Sequence, residues 1–156
     1  MRIDPKDRFM TGIIAGFGAG MVKDLLDLMI YSVHLHTHPY FNYASVMIFG
    51  ILPHTFIEKA FAFFGTVVFD TFLGVLYSYL TLVVVSRYYR FRGWFYSLSC
   101  WFIIYSLTTL YKVPQVFEVK WVTPISHFLT ASVYGLLLGI LLQWLQREAV
   151  VEKVNL

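Results

Sequence analysis

Four long apolar stretches constrain the fold of this chain more than any other feature of its sequence. A helix needs about 20 mostly apolar residues to cross the hydrocarbon core of a bilayer. Stretches of this kind run at about 9–33, 56–86, 93–111 and 124–145. They predict an all-α polytopic membrane protein, in which a bundle of four transmembrane helices forms a single transmembrane domain over residues 1–156.

The amino-acid composition also indicates that the main partner of the chain is the lipid bilayer. Hydrophobic residues make up 58% of the sequence and charged residues only 13%, whereas soluble domains carry about 25% charged residues. The net charge of +3 is not gathered into a basic stripe, which argues against a nucleic-acid partner. The single cysteine, Cys100, excludes an intrachain disulfide and a cysteine-based zinc site.

Lys and Arg residues are distributed unevenly between the two sides of the predicted bundle. One side holds Arg2, Lys6, Arg8, Arg87, Arg90, Arg92, Arg147 and Lys153, and the other holds Lys59, Lys112 and Lys120. The positive-inside rule therefore predicts a bacterial-type inner membrane protein with both termini in the cytoplasm. The segment 43–52 is too short to cross the membrane. We expect a short interfacial helix at the outer surface, with a re-entrant piece or an early turn of the second helix as alternatives.

Rows of small residues run along three of the predicted helices at a spacing of four residues. The first helix has the rows Gly12–Gly16–Gly20 and Ala15–Ala19, and the fourth has Gly135–Gly139. Side chains four apart lie on one helix face, and small side chains let helices approach closely in lipid. We expect a close crossing of the first and fourth helices. Contacts with a second copy or with another membrane subunit are the alternative.

Four charged residues, Lys23, Asp24, Asp27 and Asp70, lie within the predicted spans. Each costs about 2.5–3.5 kcal/mol at the centre of a membrane helix. Lys23 and Asp27 are four residues apart and are predicted to pair. Asp24 and Asp70 reach the same layer of the outer half, where they share a proton or hold a cation or Lys23 between them. This pattern predicts an ion or proton site, unless the charges only neutralise one another and lock the bundle.

All five histidines map to the outer side of the predicted bundle. Three belong to the stretch "HLHTHPYF", one lies four residues before a glutamate, and one lies a turn into the fourth helix. Imidazole and carboxylate groups suit divalent transition metals. The candidate metal ligands are therefore His34, His36, His38, His54, Glu58 and His127. The alternative is that "HLHTHPYF" is only a polar hinge between helices.

The sequence resembles small uncharacterised four-helix membrane proteins of bacteria. The resemblance is carried by "GIIAGFGAG" in the first helix, "LGVLYSYL" in the second, an internal Trp in the third and "HFLTASVYGLLLG" in the fourth. It implies a topology and no chemistry.

Two classes of function remain open. One is a protein that binds or transports a proton, a metal cation or a small cationic molecule through the polar site in its outer half. The other is a non-catalytic accessory or assembly subunit of a membrane complex. Catalysis is the less expected outcome, because the sequence has no nucleophile motif, phosphate loop or dinucleotide fingerprint.

Overall fold

The computed structural model describes residues 7–84, 88–116 and 119–154, with side chains described up to residue 146. Within these ranges the chain is all-α, as predicted, and contains no strand. The helices are α1 (Arg8–Ser32), α2 (Tyr40–Phe49), α3 (Phe56–Val83), α4 (Tyr89–Leu110) and α5 (Val122–Val154). Four of the charges used to predict the orientation fall outside this description, either as whole residues or as side chains: Arg2, Lys6, Arg87 and Arg147. The same holds for the side chain of Lys153.

Local capping groups explain where the helices begin and end. The carboxylate of Asp7 accepts hydrogen bonds from the first free N–H groups of α1. Thr55 and Glu58 form a capping box at the start of α3. Gly50, with φ of 75°, ends α2 in the left-handed conformation that glycine adopts without strain. Helix α5 continues to residue 154 because its last segment, though polar, consists mainly of good helix formers.

Helix α1 is the centre of the bundle. It packs against α3 on one side and α5 on the other, α2 lies against α3, and α4 lies against α5. Both small-residue rows of α1 are buried, as are Lys23, Asp24 and Asp27, while large apolar residues are exposed on the opposite side: Phe17, Leu25 and Met29. The polar face of α1 therefore contacts protein on both flanks.

The glycines bring two pairs of helices into backbone contact. A Cβ on Gly74 of α3 would lie 2.4 Å from the Cα of Gly16 on α1, and one on Gly93 of α4 would lie 2.3 Å from the carbonyl oxygen of Gly135 on α5. Helix α1 does pack against α5, as predicted, with Ala15 and Ala19 in a core cluster with Tyr134, Leu138 and Leu142. The predicted use of the glycines in this crossing is wrong. They join α1 to α3 and α4 to α5, since each row finds its small counterpart on that neighbour.

Two of the helices, α3 and α5, are long and apolar enough to cross a membrane by length and composition. Helix α1 carries Lys23, Asp24 and Asp27, and α4 is rich in Trp, Tyr, Ser and Thr. Among the described residues there are thus two candidate spans, which is weak evidence of membrane association and does not establish four.

Candidate metal centre and neighbouring ion cluster

Lys23 links two carboxylates in the middle of the bundle. Its Nζ atom lies 3.1 Å from Asp24 Oδ1 and 2.6 Å from Asp70 Oδ2. It also lies 4.0 Å from the centre of the Tyr40 ring, within the range of a cation–π interaction. The other oxygen of Asp24 accepts a hydrogen bond from Thr66. We call Lys23, Asp24 and Asp70 the ion cluster.

The predicted pairing of Lys23 with Asp27 is wrong. Side chains on a helix lean toward its N-terminus, so the Lys23 ammonium points away from the following turn and toward Asp70 on α3. Of the arrangements open from the sequence for Asp24 and Asp70, the structure has the one with Lys23 between them. Asp27 contacts a different set of residues.

Asp27 meets two histidines one turn closer to the C-terminal end of α1. Its Oδ1 atom lies 3.3 Å from His127 Nε2 and 3.7 Å from His36 Nε2. The three residues, which we call the triad, are 2%, 0% and 4% exposed for Asp27, His127 and His36. Their converging atoms all lie within 4.8 Å of one another. None of the three atoms has a hydrogen-bond partner of acceptable geometry.

The remaining polar atoms of the triad are held by neighbouring groups. Asp27 Oδ2 accepts a hydrogen bond of 2.8 Å from the backbone N–H of Tyr40. His127 Nδ1 lies 2.6 Å from the Tyr105 hydroxyl, and His36 Nδ1 lies 3.1 Å from the Ser126 hydroxyl. Metal-bound histidines typically hold their second ring nitrogen in this way. The surroundings therefore fix the orientation of each potential ligand.

The hydrogen bonds of Ser126 favour one tautomer of His36. The single hydroxyl proton of Ser126 is donated to the carbonyl oxygen of Thr123 at 2.8 Å, so Ser126 accepts from His36 Nδ1–H. In the neutral ring, Nε2 then carries a lone pair. This lone pair faces a carboxylate oxygen of Asp27, a repulsive arrangement unless a cation or a proton lies between them.

The polar residues of the two clusters carry an excess of negative charge. Lys23 supplies one positive charge against Asp24, Asp27 and Asp70, which leaves two negative charges when all three carboxyl groups are ionised and both triad histidines are neutral. Burial lowers the pKa of His36, an effect that outweighs the opposing influence of Asp27, and so favours its neutral form. Buried charge is costly unless it is compensated. A divalent cation in the triad would offset the excess.

The structure brings together only some of the residues predicted as ligands. His36 and His127 join Asp27, which the sequence assigned to the ion site. His34 is exposed, His38 contacts Asn42, His54 is exposed, and the Glu58 carboxylate accepts from two backbone N–H groups in its capping box. In the described part of the chain, none of these four belongs to a group of three potential metal ligands.

The sequence contained one indication that Asp27, which was not predicted as a metal ligand, lies near His127. Asp27 is the charged residue of α1 nearest to the C-terminal end of that helix, and His127 lies one turn into α5 at the same end of the bundle. Their common depth was available from the sequence, but their contact required knowing that α1 and α5 are neighbours.

Two imidazoles and one carboxylate can bind a metal ion directly. This ligand set occurs in zinc sites and in non-haem iron centres, with further coordination positions left for water or substrate. An Nε2 or oxygen ligand about 2.1 Å from zinc, at tetrahedral angles, lies about 3.4 Å from the next ligand. The separations of 3.3 and 3.7 Å around Asp27 Oδ1 match this geometry.

No protein-family model, no curated protein and no solved structure matches this chain.

Proposed function

We propose that this chain is an integral membrane protein with four spanning helices. It binds a divalent transition metal, most readily zinc, at Asp27, His36 and His127. The observation that carries the proposal is the convergence of three buried ligand atoms without hydrogen-bond partners, while the second polar atom of each side chain is held. Metal-binding histidines and carboxylates typically have their second polar atom held in this way.

The exposed apolar surface supports the membrane placement. Soluble monomers rarely expose contiguous apolar patches above a few hundred Å². Large apolar side chains are exposed along the four long helices: Phe17, Leu25, Met29, Phe61, Phe64, Phe72, Phe95, Phe102, Ile103, Ile125, Leu129, Leu136 and Ile140. The charges of α1 are no obstacle to a span, because α3 and α5 flank this helix and shield its polar face from lipid.

Contacts between helix ends support the proposed orientation. Arg8 at the start of α1 donates a hydrogen bond to Thr81 near the end of α3, and Tyr77 of α3 donates to the carbonyl oxygen of Tyr89 at the start of α4. These ends therefore share one side of the bundle, to which the positive-inside rule assigns the cytoplasm. The triad then lies in the outer half.

The ion cluster favours metal binding over cation transport. Lys23 already occupies the position between Asp24 and Asp70 that a transported cation would need. The accessory-subunit alternative has less support, because the glycines expected to dock a partner contact other helices of the same chain. A resident metal at the triad requires neither a cation pathway nor a free glycine face.

Elemental analysis of the purified protein tests the proposal. We expect one zinc per chain after metal removal with a chelator and reloading, and tetrahedral Co²⁺ absorption bands when cobalt replaces zinc. Asp27→Asn and His127→Gln should abolish both signals. His34→Gln and His54→Gln are matched controls, since these exposed histidines lie outside the triad. Parent-like zinc binding by a well-folded His127→Gln variant would exclude the proposed site.

A further inference from the structure

A cavity of about 270 Å³ lies beside the triad, enclosed by α2, α3, α4 and α5 and backed by Lys23 of α1. His127 belongs to both the triad and the cavity wall. Most of the wall is apolar or aromatic, with Met47, Phe69 and Ile104 among its residues. For comparison, an apolar cavity of about 150 Å³ stays dry and binds benzene.

The polar groups of the wall are already engaged. Lys23 is bound by two carboxylates, Ser97 donates to the carbonyl oxygen of Ala131, and Tyr134 donates to the carbonyl oxygen of Asp70. Apart from His127 Nε2, which belongs to the triad, the exception among potential donors is the indole Nε1 of Trp101, which is buried without a hydrogen-bond partner. A ligand with several polar groups would find few partners here. A hydrocarbon with one oxygen that can accept a hydrogen bond suits this wall.

Two helices of the cavity wall, α3 and α4, do not pack along each other over their length. Helix α3 packs against α1 and α2, and α4 packs against α5. They touch toward the C-terminal end of α3, where Tyr77 donates a hydrogen bond to the carbonyl oxygen of Tyr89 and Tyr96 donates one to the carbonyl oxygen of Leu73. Gly65 of α3 and Trp101 of α4 line the cavity. Both lie farther toward the outer side of the bundle than the contact between Tyr96 and Leu73. In the membrane, an opening between two spanning helices faces acyl chains and not water.

We propose that this cavity binds the hydrocarbon chain of a membrane amphiphile with a small neutral head group, such as a long-chain alcohol or ester. This inference rests on the membrane placement proposed above and is independent of the metal. The chain enters between α3 and α4, and a head-group oxygen accepts from the Trp101 indole. The ligand then lies against His127, adjacent to the metal centre.

The rate at which a reagent modifies Cys100 reports whether the cavity is occupied, because this single cysteine lines the cavity. The full chain is purified in a sterol-based detergent, whose rigid apolar part is wider than a hydrocarbon chain. Hexyl methanethiosulfonate then modifies Cys100, and the rate is followed by mass spectrometry with increasing dodecanol. We expect saturable protection that slows modification at least tenfold. A rate that dodecanol leaves unchanged would overturn the proposal.

A second arm identifies the source of the chain. Protection that also appears in phosphatidylcholine nanodiscs without dodecanol indicates a bilayer acyl chain as the occupant. Protection by dodecanol alone indicates a smaller amphiphile. Both results support the hydrocarbon site. Asp27→Asn should lose zinc and keep the protection, because Asp27 does not line the cavity, so failure of the metal proposal and failure of this one give different results.

Cavity-filling variants complete the test. Leucine at position 65 would fill the space, and its Cβ would meet only the flexible end of Ile48 at 3.0 Å and Ala44 Cβ at 3.9 Å. Gly65→Leu should therefore slow the modification of Cys100 tenfold without dodecanol, and Ala44→Leu should act in the same direction. Val68→Leu, on an exposed part of α3, is the matched control. Parent-like modification and protection in both filling variants would contradict the assigned cavity.

Discussion

Replacing Lys23 by methionine should destabilise the protein strongly. The ammonium group contacts Asp24 at 3.1 Å and Asp70 at 2.6 Å, and all three side chains are nearly fully buried. Methionine retains the length and apolar volume of the side chain but leaves two carboxylates without their cation. Removing one partner of a buried ion pair costs about 3–5 kcal/mol. For a chain of this size, each 1 kcal/mol lowers Tm by about 2–4 °C, which gives a decrease of roughly 6–20 °C.

Thermal unfolding in detergent, followed by circular dichroism, measures this effect. Lys59→Met is the matched control, because Lys59 is exposed on α3, and its Tm should stay within about 2 °C of the parent, as expected for surface substitutions. Adding Asp70→Asn to Lys23→Met removes one unpaired carboxylate, so the double variant should recover part of the loss. A Tm for Lys23→Met equal to that of the control, or a double variant less stable than Lys23→Met alone, would refute the assigned ion cluster.

Three further predictions follow from the packing and from the triad. Gly74→Ala should lower the free energy of unfolding by about 1–3 kcal/mol, because its Cβ would lie 2.4 Å from a Cα atom of α1. Gly18→Ala, whose Cβ would make only an ordinary van der Waals contact at 3.5 Å, is the control in thermal unfolding. Tyr105→Phe removes the 2.6 Å partner of His127 and should weaken zinc binding about 10–100-fold in chelator competition, whereas Tyr79→Phe on an exposed face should not. Burial lowers the pKa of His36 below its usual 6.5, so the unfolded chain binds more protons at this residue than the folded chain does. In unfolding at stepped pH, the metal-free parent should therefore lose stability relative to a His36→Gln variant as pH falls below about 6.5; a stability difference between the two that does not change with pH would contradict the buried neutral imidazole.

The sequence predicts the helices well because each depends on local information. Apolar stretches at 56–86 and 9–33 correspond to α3 and α1, whose ends are set by capping groups within a few residues. The end of α5 at residue 154 was missed, since hydropathy ends before helix propensity does. Which helices are neighbours is a non-local property, and for this reason the partners of the glycine rows were assigned to the wrong helix.

The site depends on contacts that no local pattern contains. The burial of His36 requires the connection between α1 and α2 to fold over the bundle, where His36 reaches Ser126 of α5. The Lys23–Asp27 spacing predicted a pair that side-chain direction and the position of Asp70 exclude. Residue type and depth were thus predictable, whereas the grouping of two histidines with Asp27 depends on the order in which the helices pack.

The central position of α1 has a consequence for biosynthesis in the proposed membrane placement. This helix is made before the other four described helices, yet its polar groups contact residues made later. Asp70 of α3 lies 47 positions after Lys23, and His127 of α5 lies 100 positions after Asp27. Until α5 emerges, the outer half of α1 has an uncompensated carboxylate in the bilayer. Stable insertion of the first helix is therefore a late event that requires the last one, and a nascent chain arrested before residue 122 should remain susceptible to extraction or degradation.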